Sequence, residues 1–121
     1  MYEPLVRYVE TGDVKYLEEA ADLALRSGMF LEHVLDMALS LPPHLLPQKA
    51  RRLVAGARHV VESARCEDLP ERLRVSCHVA KRRASVLDIP AEAVPEVERL
   101  GAERVVYAFC KASGVIIPFD A

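Results

Sequence analysis

Three cysteines and two histidines are the side chains of this sequence best suited to chemistry: Cys66, Cys77, Cys110, His59 and His78. Together they offer enough thiolate and imidazole groups for a zinc ion, which takes four such ligands. Zinc sites place their ligands in close pairs, such as C-x2-C or H-x3-H, and neither spacing occurs in the chain. We therefore predict no metal and no cofactor.

The cysteines have simpler roles to fill. Cys77 falls on the apolar line of a predicted helix, where a small buried residue is expected. Cys66 follows the end of the preceding helix, and we expect it to be an exposed thiol. The sequence leaves open whether any two of the three cysteines form a disulfide.

A second spacing with chemical meaning joins Arg72 to His78 across five residues. It resembles the Arg-x4–6-His signature of HEPN-type ribonucleases, which are small all-helical proteins that act as dimers. The resemblance implies that Arg72 contacts the scissile phosphate of RNA and that His78 serves in acid-base cleavage. Similar spacings recur at Arg26–His33 and Arg52–His59, and Leu73 stands where that family usually has a polar residue.

Helix boundaries and apolar spacing predict an all-α fold. Asp13 is a suitable N-cap and Gly28 a suitable stop for one helix, and Pro70 suits the first turn of another. We expect a compact bundle of five to six helices, built from antiparallel helical hairpins, in one domain over residues 1–121. Its parts are a hairpin at 13–40, a basic hairpin at 47–87, and a C-terminal helix at 95–113 with a short apolar tail at 115–121.

The predicted helix that follows Pro70 is apolar on two sides. Its main line contains Leu73 and Cys77, and Val75, Val79 and Val86 form a second line about 120–180° away. The tail sequence VIIPF is also too apolar to be free in solvent. We therefore predict contact with a partner through these residues: Val75, Val79, Val86, Ile116, Ile117 and Phe119.

Charge is segregated along the chain. Residues 1–48 carry 3 basic and 8 acidic groups, residues 49–83 carry 10 and 4, and residues 84–121 carry 3 and 6. Arrays of arginine and lysine can hold a phosphate backbone, so an RNA- or single-stranded-DNA-binding role for the segment 49–83 is an alternative. Its contacts would be Arg51, Arg52, Arg58, Arg65, Lys81, Arg82 and Arg83. No aromatic residue lies between positions 31 and 106 to stack on bases.

Composition narrows the class of protein. No apolar run approaches the ~20 residues that a bilayer-spanning helix needs, and nothing resembles a secretion signal, so we expect a cytoplasmic protein. The chain has no Asn and one Gln, with Arg preferred to Lys, which is typical of hyperthermophile proteins.

No Gly-rich phosphate loop, carboxylate pair or Ser/His/Asp set accompanies these features. We therefore predict a small non-catalytic protein that contacts itself or another protein, with no small-molecule ligand and no membrane. Nucleic-acid binding and a HEPN-like ribonuclease are the two alternatives.

Overall fold

The structure is a computed structural model, and it describes residues 2–119. Seven α-helices and two short 3-10 turns account for the regular structure of this part of the chain, which contains no strand. The predicted all-helical bundle is confirmed. The helices are α1 (Glu3–Thr11), α2 (Val14–Ser27), α3 (Leu31–Leu39), α4 (Gln48–Ser63), α5 (Glu71–Ser85), α6 (Pro95–Glu98) and α7 (Ala102–Ser113), and the 3-10 turns lie at Pro43–Leu45 and Cys66–Asp68.

Helix α2 has the boundaries that its sequence predicts. The Asp13 carboxylate accepts a hydrogen bond of 3.0 Å from the backbone N–H of Lys15, which satisfies one free donor of the first turn. At the other end Gly28 adopts a left-handed conformation, and its N–H donates to the carbonyl of Ala24. Local capping chemistry therefore sets both ends of this helix.

The C-terminal part of the chain contains two helices where the sequence predicted one at 95–113. Gly101 separates α6 from α7 with φ 91° and ψ 148°. This region of backbone space is almost restricted to glycine, so the residue turns the chain between two helices where a position within one continuous helix was expected. The helix count rises above five to six for this reason and because α1 precedes the first predicted helix.

Helix α7 packs against α3, α4 and α5, and α4 packs in addition against α2 and α6. Phe109 on α7 is the largest fully buried side chain. Helix α4 also approaches the segment before α6 very closely, since a Cβ at Gly56 would lie 2.8 Å from the Cβ of Val94. The core thus fixes the inner sides of α3, α5 and α7, whose outer sides form the surface described next.

The predicted grouping into hairpins at 13–40 and 47–87, and into one domain, stays a prediction. The predicted tail at 115–121 is described as far as Phe119, and residues 1, 120 and 121 lie outside the described part of the chain.

Candidate functional site

Helix α5 divides its residues between the core and solvent. Its buried positions are Leu73, Ser76, Cys77, Ala80 and Ala84, which share one side of the helix. Cys77 is fully buried, so the prediction for this residue is confirmed.

The opposite side of α5 carries a line of exposed residues. Val75 is 70% exposed and Val86 is 76% exposed, while Val79 between them is partly buried and packs against the core. Together with Arg82 they occupy positions spaced by four, three and four residues, which align on one helix face. We call Val75, Val79, Arg82 and Val86 the α5 stripe.

A groove lies beside the α5 stripe, between α5 and the C-terminal ends of α3 and α7. It has a volume of about 460 Å³. Apolar side chains and two arginines surround it, together with Ser113 at the end of α7: Leu39, Val79, Val86, Leu87 and Phe109 are the apolar residues, and Arg82 and Arg83 are the cations. An adjoining hollow of about 200 Å³ shares Leu39, Val86 and Leu87 and extends to Leu41 and Ile89.

Local structure holds the groove walls in place. The guanidinium of Arg83 donates a hydrogen bond to the carbonyl of Ser113 and thereby ties α5 to the end of α7. On the other side, α3 ends at Leu39 and the chain turns at Ser40 before Pro42. Leu39 and Leu41 are thus placed at the groove by a helix end, and α3 was absent from the contact surface predicted from sequence.

The apolar tail is divided between the core and solvent. The Ser76 hydroxyl donates to the carbonyl of Ile116 at 2.7 Å, which holds the tail against α5. Ile117 is buried in the protein's own core, so in this structure it is not open to a partner. Ile116 and Phe119 are 85% and 96% exposed.

Most of the cations predicted to contact nucleic acid have partners within the chain. Arg52 forms a bidentate ion pair with Glu96 at 2.5 and 3.0 Å, and Arg65 lies 3.6 Å from both Glu67 and Asp68. Arg51 donates to the carbonyl of Pro43, Lys81 to that of Glu62 at 3.1 Å, and Arg83 to that of Ser113. Of the seven, only Arg82 has a charged group without a hydrogen bond or ion pair to any residue from 2 to 119.

Arg58 is a partly buried cation with several partners. Its guanidinium donates to the Glu62 carboxylate at 2.7 Å and to the carbonyls of Leu87 and Ile89 at 2.7 and 2.8 Å. The side chain is 17% exposed. Arg58 therefore joins α4 to the chain just after α5 by donating to backbone carbonyls beyond the end of that helix.

The cysteines do not form a reactive site. Cys66 and Cys77 form a disulfide across the connection between α4 and α5, with Cα atoms 5.6 Å apart. The expectation of an exposed thiol at Cys66 is wrong, because the 3-10 turn at 66–68 directs this residue into the core. Cys110 is a buried free thiol, and burial raises its pKa to about 11. A thiol held in this neutral form is a poor nucleophile.

The remaining candidate chemistry is dispersed. Arg72 and His78 lie six positions apart on α5, which separates their directions by about 120°. The guanidinium of Arg72 lies 5.5 Å from the ring centre of Tyr107. Throughout the part of the chain that the structure describes, no three His, Cys, Asp or Glu side chains come together as a metal site. Among the same residues, no helix is long and apolar enough to cross a membrane.

Comparison with known proteins identified no similar protein. No family model matches the chain, and no match was found among the curated proteins or the solved structures.

Proposed function

We propose that the protein is a small non-catalytic helical protein that works by protein–protein contact, through the α5 stripe and the adjoining groove. The partner is a second copy or another protein. The observation that carries this proposal is the exposure of Val75 and Val86 on the same line as Val79, beside an apolar groove. Exposed single apolar residues are ordinary, whereas a line of them next to an apolar depression is typical of an interaction surface.

The exposed tail residues extend the proposed surface. The hydrogen bond from Ser76 holds the exposed Ile116 against α5. Phe119 offers a large aromatic side chain, of the type that anchors many protein interfaces. These two residues therefore belong to the proposed contact set, whereas Ile117 does not.

Nucleic-acid binding through the segment 49–83 is not favoured by a specific observation. Six of the seven predicted contacts already bind carbonyls or carboxylates of the chain, and their positions serve to hold helix ends together. No aromatic platform lies among them, because the segment contains no Phe, Tyr or Trp. The ribonuclease alternative likewise has only the Arg72–His78 spacing in its support.

Two further proposals rest on composition. We infer a cytoplasmic location, in a hyperthermophilic source. The lack of Asn and the preference for Arg over Lys support the source. Intracellular proteins of hyperthermophiles are also the exception among cytosolic proteins in that disulfides persist in them.

The test of the proposed function compares two valine substitutions that are equally exposed in the free protein. Val86→Glu places a carboxylate at the groove, and Val9→Glu does so on α1, where Val9 is 70% exposed. Sedimentation measures self-association of the wild type and both variants. Quantitative mass spectrometry then measures which proteins each bait retains from an extract of the source organism.

We expect association with a second copy or with a specific protein to be lost in Val86→Glu and kept in Val9→Glu. Circular dichroism should show both variants folded, since neither side chain is in the core. A monomeric wild type whose retained proteins are the same for all three baits would contradict the proposed function.

A further inference from the structure

We propose that the occupant of the groove is an amphipathic helix of another protein, with its apolar face on the α5 stripe and its carboxylates at Arg82 and Arg83. This inference rests on the proposed function and specifies the chemistry of the partner. It follows from the spacing of the stripe, from the charges around the groove, and from what a second copy would bring to the same surface.

The shape of the surface favours a helix. The α5 stripe runs from residue 75 to 86, about 16 Å along the helix axis at 1.5 Å per residue. Spacings of four, three and four residues are those at which two helices meet along a common seam. A peptide that binds by strand addition would need an open sheet edge, and residues 2–119 contain no strand. A partner helix of about three turns covers the whole stripe.

The charges favour carboxylates on that helix. Arg82 belongs to the stripe itself, and within residues 2–119 its guanidinium has no hydrogen bond or ion pair. Arg83 donates to the carbonyl of Ser113, a neutral acceptor that leaves its positive charge uncompensated. A partner that covers the groove with apolar atoms alone would leave these charges partly desolvated, which is costly. Carboxylates opposite them remove that cost and form bidentate pairs.

Asp88 favours one orientation of the partner helix on this surface. This carboxylate lines the adjoining hollow, next to Leu87 and Ile89. A partner carboxylate is therefore favoured beside Arg82 and disfavoured beside Asp88. We expect the acidic residues of the partner helix to lie towards the 460 Å³ groove and its uncharged end to lie over the hollow.

A second copy fits this surface poorly. Twofold pairing of α5 with itself, centred on the stripe between residues 80 and 81, would leave the two Arg82 residues about 4.5 Å apart along the axis. Arg83 would add a further pair of like charges. Repulsion between cations at such distances disfavours this twofold dimer and favours another protein as the occupant.

Two designed peptides test the inference on the intact protein. Both are helical, about 16 residues long, with leucine at the spacing of the stripe, and they differ only in having glutamate or lysine beside the leucines. Binding is followed through the NMR methyl signals of Val75, Val79 and Val86. The variants are Arg82→Glu, which reverses the charge at the groove, and Arg65→Glu, a charge reversal at another exposed arginine that lies outside it.

We expect the acidic peptide to shift the Val79 and Val86 signals and to bind at least about fivefold more tightly than the basic peptide at low salt. Arg82→Glu should reverse this order, and Arg65→Glu should keep it. Raising the salt from about 50 to 500 mM should reduce the difference between the peptides, because the pairs are partly exposed.

The outcomes separate this inference from the proposed function. If both peptides bind equally at the stripe, the acidic partner is excluded and the contact surface stands. If neither binds and sedimentation shows a dimer that Val86→Glu dissociates, the occupant is a second copy and this inference is overturned. A monomer that binds neither peptide, and whose retained proteins are unaffected by Val86→Glu, overturns both.

Discussion

Helices α4 and α5 both carry arginines at their surfaces, yet Arg52 and Arg58 of α4 have surroundings different from those of Arg82 on α5. On α4, Arg52 and Arg58 are bound to Glu96 and to the chain after α5, so that their charge holds the bundle together. On α5, Arg82 points along an apolar stripe and has no polar partner among residues 2–119.

The difference shows that arginine has two roles in this protein. An arginine that satisfies free carbonyls at a helix end contributes to folding, and its removal leaves those carbonyls exposed. An arginine that lies unpaired beside apolar side chains contributes little to folding and remains available to a partner. This distinction can be tested by substitution. Replacing an arginine of the first kind should lower the free energy of unfolding of the protein, and replacing one of the second kind should leave it unchanged.

The largest expected effect concerns the disulfide that links the 3-10 turn after α4 to α5. Reduction of Cys66–Cys77, or replacement of both residues by alanine, should lower the free energy of unfolding by about 3 kcal/mol, because the closed loop restricts the unfolded chain. Urea denaturation with and without reductant measures this. The alanine double variant is the control, since reductant should not affect it. Three reactive thiols in the unreduced, denatured wild type would contradict the disulfide.

Substitution of Arg58 should have the next largest effect. Arg58→Ala removes charge-assisted hydrogen bonds to Glu62, Leu87 and Ile89 and should lower the free energy of unfolding by about 2 kcal/mol. Arg58→Lys keeps the charge without the planar fork, and its loss should be intermediate. The matched control is Arg82→Ala, which should change stability by less than about 0.5 kcal/mol. Equal losses for Arg58→Ala and Arg82→Ala would remove the distinction between the two helices.

How much of this fold the sequence predicts depends on where the controlling interactions lie. Asp13 and Gly28 act on their own helix, so both ends of α2 are predictable. Helix α1 was missed although Pro4 and Gly12 are suitable boundary residues, because the helix is only nine residues long and Leu5 alone of its residues is buried. Gly101 was placed inside a helix because glycine is tolerated there, and only the structure shows its conformation at φ 91°.

The candidate site was predictable only where its residues lie on a single helix. The line Val75, Val79 and Val86 lies on one helix and can be obtained from periodicity alone. The groove wall at Leu39 comes from α3, more than 30 residues away, and depends on tertiary packing. The sequence spacing indicates the Arg58–Glu62 pair, but it does not reveal the backbone carbonyls that bind other arginines, or Glu96, which lies 44 positions from Arg52. A cluster of cations therefore predicts a charged surface but not whether its charges are already bound.

The smallest expected effect is on the pH dependence of stability, and it should distinguish Arg52 from its exposed neighbour Arg51. The bidentate pair with Arg52 is the main cause that lowers the pKa of Glu96 to about 2, from an ordinary value of 4.5. Because the pKa is lower in the folded state, the pair stabilises the protein above pH 4.5, and this contribution is lost as the pH falls towards about 2. Arg52→Ala should therefore flatten the dependence of stability on pH within this window, as followed by urea denaturation at several pH values.

Arg51→Ala removes a cation bound to the carbonyl of Pro43, which does not titrate, and should leave the slope as in the wild type. Parallel profiles for Arg52→Ala and the wild type would show that the Arg52–Glu96 pair does not join α4 to α6 in solution.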